Sequence, residues 1–231
     1  MTDTTAPYGT PEHPRVAVRG EARIEVDPEI AHLGITVTAR GKDRRTALED
    51  LTRRNGTVLE LLRSYGPAVE KLETGALSIN PELAEKGRDE KIRAYHGRVH
   101  ITAVLNDFTA LGELVTRVAA LDMTRVNGPW WALRPDSPAH ANARRQAVRE
   151  VVQRAREYAD ALGSHLTALV ELADLGAENV APALPAPPAG FPRSAGYGAA
   201  AAPAPALDLE PRRQTVCAQV NARFIMSPPE L

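Results

Sequence analysis

The stretch VAVRGEARIEVDPEIAHLGITV, residues 16–37, decides the fold of this chain. Apolar and polar residues alternate on both sides of its Asp-Pro-Glu segment, and a period of two is typical of half-buried strands. Pro28 holds the backbone of that segment in a turn conformation. The two alternating runs are therefore predicted to pair as an antiparallel hairpin that begins the fold.

Three later segments carry the three-four spacing of apolar residues that predicts amphipathic helices. The first spans residues 43–65, and a shorter one lies near 108–120. The longest covers 138–162 and begins at Ser137-Pro138, where a capping hydroxyl precedes a proline at the first helical position. Each helix is expected to cover a sheet with its apolar side.

Five further alternating or apolar runs predict strands, and together with the helices they set the class of the fold. The chain is predicted to be α+β, with two layers, a mainly antiparallel sheet, two longer helices and one short helix. The predicted order is ββαββαβαββ. The five additional strands are placed at 72–79, 97–104, 126–133, 166–172 and 216–226.

Two segments fit neither periodicity. Residues 1–14 are rich in threonine and proline and are predicted to form a disordered tail. Residues 176–211 contain eight prolines, which exclude a helix or a central strand, so a long loop is predicted there. Because the strand at 216–226 must return to the sheet after this loop, one α+β domain is predicted over 15–227, with the loop inside it.

Composition excludes several classes of protein. The 231 residues carry a formal net charge of −1, which offers no electrostatic footprint for nucleic acid or an anionic membrane. No stretch approaches the roughly 18 to 20 apolar residues of a membrane span. Residues 1–20 lack the apolar run of an export signal. We therefore expect a cytoplasmic protein that binds no nucleic acid.

The histidine and glycine patterns predict neither a metal site nor a cofactor site. His96 and His100 lie four residues apart at the predicted strand 97–104, where that separation spans roughly 13 Å. This distance is too long for two ligands of one metal ion. The glycines form neither a P-loop nor a dinucleotide-binding pattern.

Nucleophilic catalysis finds no support in the sequence. Cys217 is the only cysteine, and alternation places it opposite Val216 and Val220, with no base or helix N-terminus predicted beside it. We interpret it as an inert, half-buried residue, and a redox-sensitive or intermolecular thiol is the alternative. No serine lies in the G-x-S-x-G turn of hydrolases. No catalytic residue is expected, and the protein is predicted not to be an enzyme.

Four residues are candidates for a subunit interface. Trp130 and Trp131 are neighbours on a predicted strand and must point to opposite faces. One is expected to be buried, and the other is either an interface anchor or packed beneath the proline-rich loop. Arg144 and Arg145 lie on the longest helix among interleaved acidic residues, a pattern typical of a solvated, salt-bridged face. A contact with a subunit or another partner is the alternative for this pair.

Together with this order of elements, three stretches resemble the SIMPL-domain family. They are residues 16–37, the run ETGALSINPEL at 73–83, and the helix ANARRQAVREVVQRAREYADALG at 141–163. The resemblance covers roughly residues 16–226. It implies the family's fold and its habit of forming closed homo-oligomers, with a loose link to stress responses or signalling adaptors and no established catalytic residue.

These observations lead to two functional hypotheses. The first is a non-enzymatic, homo-oligomeric assembly or adaptor protein, linked to a stress response, whose partner is another copy of itself. An unprotected strand edge at 15–26 or 215–226 is expected to make the contact. The alternative is a small-molecule-binding or enzymatic protein with a site formed between subunits. A deep pocket with converging polar groups favours the alternative, and an extended apolar patch favours assembly.

Overall fold

The structure is a computed structural model that describes residues 9–83, 92–174 and 207–230. The order of its elements and its α+β class confirm the prediction from sequence. The elements are β1 Arg15–Val26, β2 Ile30–Gly41, α1 Arg44–Arg63, β3 Val69–Leu83, β4 Ile92–Leu105, α2 Phe108–Ala119, β5 Thr124–Ala132, α3 Pro138–Ala161, β6 Leu166–Asp174 and β7 Gln214–Met226.

The strands form two sheets, with the orders β3-β4-β2-β5 and β1-β7-β6. The chain divides accordingly into two compact units. The four-stranded unit contains the described residues within 27–134 and 207–214, and the three-stranded unit contains those within 9–26, 135–174 and 215–230. The single domain over 15–227 stays a prediction.

The four-stranded unit has the βαββαβ arrangement in which two helices cover one face of an antiparallel sheet. Strand β2 lies at its centre, antiparallel to both β4 and β5. Every second residue of β2, from Ala31 to Ala39, is fully buried against the helices. The core contains large aliphatic side chains from both layers, including Leu33, Ile35, Leu51, Leu62, Ile101, Leu105, Leu111 and Leu114.

The three-stranded unit buries its sheet beneath α3. Gly20 of β1 lies so close to this helix that an added Cβ atom would be 2.3 Å from the carbonyl oxygen of Ala147. This approach requires small residues on the helix. Every fourth position of the buried side of α3 is alanine or valine: Ala139, Ala143, Ala147, Val151, Ala155 and Ala159.

The predicted hairpin between β1 and β2 is wrong. Strand β1 pairs with β7, whereas β2 pairs with β4 and β5. The physical reason is the burial of β2, whose five core-facing positions are all fully covered. A strand buried in this way lies in the middle of a sheet, and both of its edges are already occupied by β4 and β5.

The predicted free edge at 215–226 is also wrong, because β7 lies between β1 and β6. Its strict alternation of buried residues, including Val220 and Phe224, reflects a central strand packed beneath α3. Strand β1, at 15–26, is an edge strand among the described residues.

The three helices begin where capping chemistry allows. Asp43 accepts a hydrogen bond of 2.8 Å from the backbone N–H of Thr46, and Asp107 accepts bonds from the first turn of α2. Ser137 caps α3 ahead of Pro138, which confirms the predicted start of the longest helix. Capping is local in sequence, so these boundaries were predicted to within two residues.

Two predictions fall mainly outside the described residues. Of the predicted tail 1–14, residues 9–14 form neither helix nor strand, and Thr10 and His13 exchange backbone hydrogen bonds of 3.1 Å. Of the predicted loop 176–211, residues 207–211 form neither helix nor strand. The remaining residues of both segments lie outside the described ranges.

Candidate functional site

The two tryptophans lie on opposite faces of the four-stranded sheet, as alternation along β5 requires. Trp131 packs against the helix-covered core, and its ring meets Phe108 edge-on with 4.8 Å between centroids. Trp130 lies on the other face and is 48% exposed. Trp130 is therefore the outward residue of the pair, and its role as an interface anchor stays a prediction.

The predicted arginine pair lies in the other unit. Arg144 and Arg145 are exposed on α3, and Arg145 donates a hydrogen bond to the side-chain oxygen of Asn142. Further along the helix, Arg154 pairs with Glu150. The helix thus carries a solvated and partly salt-bridged surface, and a partner contact at Arg144 and Arg145 stays a prediction.

The face of the four-stranded sheet turned away from α1 and α2 is called the open face. Strand register places its side chains in rows across β4, β2 and β5. A strand spacing of about 4.8 Å puts the outer members of a row roughly 10 Å apart. The three rows are His100, Thr36 and Arg125; Thr102, Gly34 and Asn127; and Val104, His32 and Trp130.

Two rings lie next to Gly34 in the middle row of the open face. A Cβ atom added at Gly34 would lie 3.3 Å from Cζ3 and Cη2 of Trp130 and 3.1 Å from Cε1 of His100. The Nδ1 atom of His100 lies 3.4 Å from the hydroxyl of Thr36, which is itself buried. The missing side chain of Gly34 thus makes room for the indole beside the imidazole.

Charge on the open face is unevenly compensated. Glu73 pairs with Lys71 at 2.8 Å, and Glu82 is surrounded by cationic groups. Arg98 and Arg125 are exposed, and neither makes an ion pair with a described residue. These two arginines leave a local positive charge on a protein whose net charge is close to zero.

Glu82 organises the end of the sheet near the β3–β4 connection. Its Oε2 atom accepts hydrogen bonds from His96 Nε2 at 2.7 Å and from Arg40 Nη2 at 2.8 Å. The bond from His96, followed by that from Arg40, lowers the pKa of this carboxyl below its usual range. His96 therefore serves as a partner of Glu82, and His100 has a different partner in Thr36.

Strand β6 exposes an apolar surface in the three-stranded unit. Its side chains Leu169, Val170 and Leu172 are all exposed, and among the described strands it pairs only with β7. A groove of about 420 Å³ lies between β6 and α3. It is lined by Val152, Leu166, Leu169 and Phe224 together with the charged residues Arg156 and Asp160.

Other reactive groups of the described residues are isolated. Cys217 is exposed rather than half-buried, because α3 covers only the opposite face of β7. The Ser227 hydroxyl lies 3.1 Å from Nδ1 of His165 and also accepts a hydrogen bond from the backbone N–H of that residue. These two contacts join the start of β6 and the end of β7 locally. Within residues 9–83, 92–174 and 207–230, no three His, Cys, Asp or Glu side chains are grouped to hold a metal ion.

Comparison with known protein families shows which family this chain belongs to. Residues 16–224 match the family model SIMPL, described as a protein of unknown function (DUF541). The chain belongs to the SIMPL family. The match spans both sheets and all three helices, which confirms the resemblance noted from the sequence.

Curated relatives of this SIMPL protein are similar over most of its length. The 26 kDa periplasmic immunogenic proteins of Brucella melitensis and Brucella abortus are each 25% identical to it over 173 residues, covering 72% of this chain and 68% of theirs. The uncharacterized protein YggE of Edwardsiella ictaluri is 21% identical over 66% of this chain and 64% of its own.

A solved structure is also similar to the chain, but only weakly. The crystal structure of a proposed amidohydrolase/peptidase from Burkholderia cenocepacia is 15% identical over 58% of this chain, with a TM-score of 0.28. This SIMPL protein spans about a third of that chain, since the match covers 33% of it.

The expected cytoplasmic location is wrong in the light of these relatives. Both Brucella proteins are named as periplasmic, and they are similar to this SIMPL protein over 72% of its chain. The expectation rested on the composition of residues 1–20 alone. In the described part of the chain, no helix combines the length and apolar character needed to cross a bilayer.

Gly34, Arg98 and Arg125 are not among the residues predicted from the sequence. Alternation along β2 does place Gly34 on the polar side of its strand, so one signal was available. The neighbourhood of Gly34 depends on pairing between distant strands, as for Thr36 and His100, which are 64 residues apart. Periodicity within one strand does not specify such a partner.

Proposed function

We propose that this SIMPL protein acts without catalysis, as a homo-oligomeric assembly or adaptor protein. One observation carries the proposal: among the strands that the structure describes, β6 is an edge strand, and it exposes Leu169, Val170 and Leu172. An exposed apolar edge is a template for pairing with another chain. Family membership supports the proposal through the oligomeric habit implied by the resemblance, and the link to a stress response rests on that resemblance alone.

The geometry beside β6 suits a strand from a second copy. The groove between β6 and α3 is lined by Leu169 and Phe224, so an added strand has apolar side chains to pack against. Strand β6 exposes apolar side chains at Leu169, Val170 and Leu172, which makes it a suitable partner for its own copy. Antiparallel pairing of two β6 strands about a two-fold axis joins the two three-stranded sheets into one.

Light scattering tests this assembly directly. The wild type is expected to have the mass of a dimer or a larger oligomer of the 24.9 kDa chain. Leu169→Lys places a charge on the exposed edge and is expected to lower that mass while leaving the fold intact, because this side chain is already 55% exposed. Leu48→Lys is the matched control, since Leu48 is an exposed leucine on α1 of the other unit.

Two results contradict the proposal. A wild type that remains a monomer at high concentration removes assembly altogether. An equal loss of mass in Leu169→Lys and Leu48→Lys shows that β6 is not the specific contact. Far-ultraviolet circular dichroism of each variant separates a lost interface from a lost fold.

We also propose that the protein works in the periplasm. The support is the periplasmic naming of the two Brucella relatives. Fractionation of native cells, followed by detection with a specific antibody, is expected to recover the protein with periplasmic markers. Recovery with cytoplasmic markers contradicts this part of the proposal and leaves the assembly test unaffected.

A further inference from the structure

The open face combines one accessible aromatic ring with two uncompensated arginines. We propose that this face binds a mononucleotide, with the heterocyclic base against Trp130 and the phosphate between Arg98 and Arg125. The inference goes beyond assembly through β6 and concerns the other unit of the chain. It rests on ring placement, charge and hydrogen-bonding groups on three neighbouring strands.

The position of the Trp130 ring is the first support. Trp130 lies beside His100 above Gly34, where any larger residue would push one of the two rings away. Trp130 nevertheless remains 48% exposed. An accessible aromatic ring held over a sheet is a stacking surface for a flat base, because every nucleobase has a π-face of its own.

The charge of the open face is the second support. Arg98 on β4 and Arg125 on β5, an edge strand among those described, flank β2, where they lie in register with Thr38 and Thr36. No described carboxylate pairs with either arginine. The acidic residues that register places on this face, Glu73 and Glu82, are already engaged with cations of their own. Guanidinium groups match the geometry of phosphate oxygens with paired N–H donors.

Hydrogen-bonding groups flank Gly34 on the two adjacent strands. Thr102 and Asn127 stand on either side of it in the same row. Neither side chain makes a hydrogen bond to a described residue, and Asn127 is exposed. An amide and a hydroxyl in these positions are suited to the polar edge of a base that stacks on Trp130.

A single nucleotide fits this face better than a polynucleotide chain. Proteins that bind single-stranded nucleic acid offer several aromatic rings to successive bases along a basic groove. Among the described residues of the open face, Trp130 is the only tryptophan, tyrosine or phenylalanine. The net charge of −1 is also unfavourable for a long polyanion.

Calorimetric titration of the full chain with AMP, adenosine and inorganic phosphate tests the inference. AMP is expected to bind with a dissociation constant on the order of 0.1 mM. Adenosine and phosphate alone are each expected to bind at least about tenfold more weakly, because each lacks half of the recognised groups. Added salt is expected to weaken the binding of AMP, since exposed arginines contact its phosphate.

Variants locate the site. Trp130→Ala and Arg125→Gln are each expected to weaken AMP binding about tenfold, and Trp130→Phe to retain most of it because a flat ring remains. Arg63→Gln is the matched control, since Arg63 is exposed at the end of α1. Circular dichroism checks that each variant is folded.

Three outcomes overturn the inference. The first is the absence of saturable binding of AMP, GMP, CMP and UMP up to 10 mM, roughly a hundred times the expected constant. The second is a hexanucleotide that binds far more tightly than AMP, which identifies single-stranded nucleic acid as the ligand. The third is a Trp130→Ala variant with unchanged AMP binding and a lower mass in light scattering, which makes the open face a contact between copies.

Discussion

The two units of the chain cover their sheets in opposite ways. In the four-stranded unit, large side chains such as Leu33 and Leu111 fill the space between the sheet and two helices. In the three-stranded unit, α3 presents alanines and approaches β1 so closely that Gly20 has no room for a methyl group. Large buried side chains stabilise the four-stranded unit, whereas close contact between α3 and β1 stabilises the three-stranded unit.

This difference predicts which substitutions destabilise each unit most. A core filled by large side chains loses most when a side chain is shortened, because a cavity remains that the neighbours only partly close. A close-approach interface loses most when a side chain is enlarged, because the backbone itself must move. The most destabilising change in side-chain volume is therefore a decrease in the four-stranded unit and an increase in the three-stranded unit.

The largest effect is expected for Leu33→Ala in the four-stranded unit. Leu33 is fully buried, so its truncation is expected to lower the free energy of unfolding by about 2–5 kcal/mol. Urea denaturation measures the change. The control is Leu77→Ala, at a side chain that is 59% exposed, where a change within about 0.5 kcal/mol is expected. Equal effects at the two sites contradict the volume-filled description of this core.

The converse test is Gly20→Ala in the three-stranded unit. The new methyl group meets the backbone oxygen of Ala147, and the expected loss is about 1–3 kcal/mol. Amide hydrogen exchange is expected to show that the loss is concentrated in β1, β7 and α3.

A glycine with open surroundings provides the matched control for this substitution. Apart from the adjacent backbone of α1 itself, no atom lies within 4 Å of a Cβ added at Gly56, so Gly56→Ala is expected to stabilise the protein by roughly 0.5–1 kcal/mol. If both glycine variants were stabilised, the close approach of α3 and β1 would be ruled out.

The smallest effect is expected at Glu82, near the end of the four-stranded sheet. Hydrogen bonds from His96 and then Arg40 lower the pKa of this carboxyl from its ordinary value of 4.5. Its contribution to stability is therefore present above pH 4.5 and is lost as the pH falls through the lowered value. The contribution is small because solvent screens these surface groups.

Glu82→Gln tests that pH dependence. The variant is expected to be slightly less stable than the wild type near neutral pH, and the difference is expected to vanish in acid. Thermal melts between pH 3 and pH 7 measure both limbs. A difference that grows as the pH falls has the wrong sign for a carboxylate stabilised in its ionised form.

The sequence by itself determined the class, the order of elements and the starts of the helices. The alternation of buried residues along β7 and the small residues at every fourth position of α3 are properties of single segments. The capping at Asp107 and Ser137 depends on groups within three residues. Such local signals are readable without knowing any partner.

Only the tertiary structure decided which strands pair and which side chains meet. Alternation shows that a strand has a buried side, but it does not name the strand beside it, so the adjacent runs β1 and β2 suggested a hairpin that does not form. The placement of Trp130 and His100 next to Gly34 likewise requires three strands in one register. Strand pairing depends on how the whole sheet is buried. No single segment of the chain carries that information.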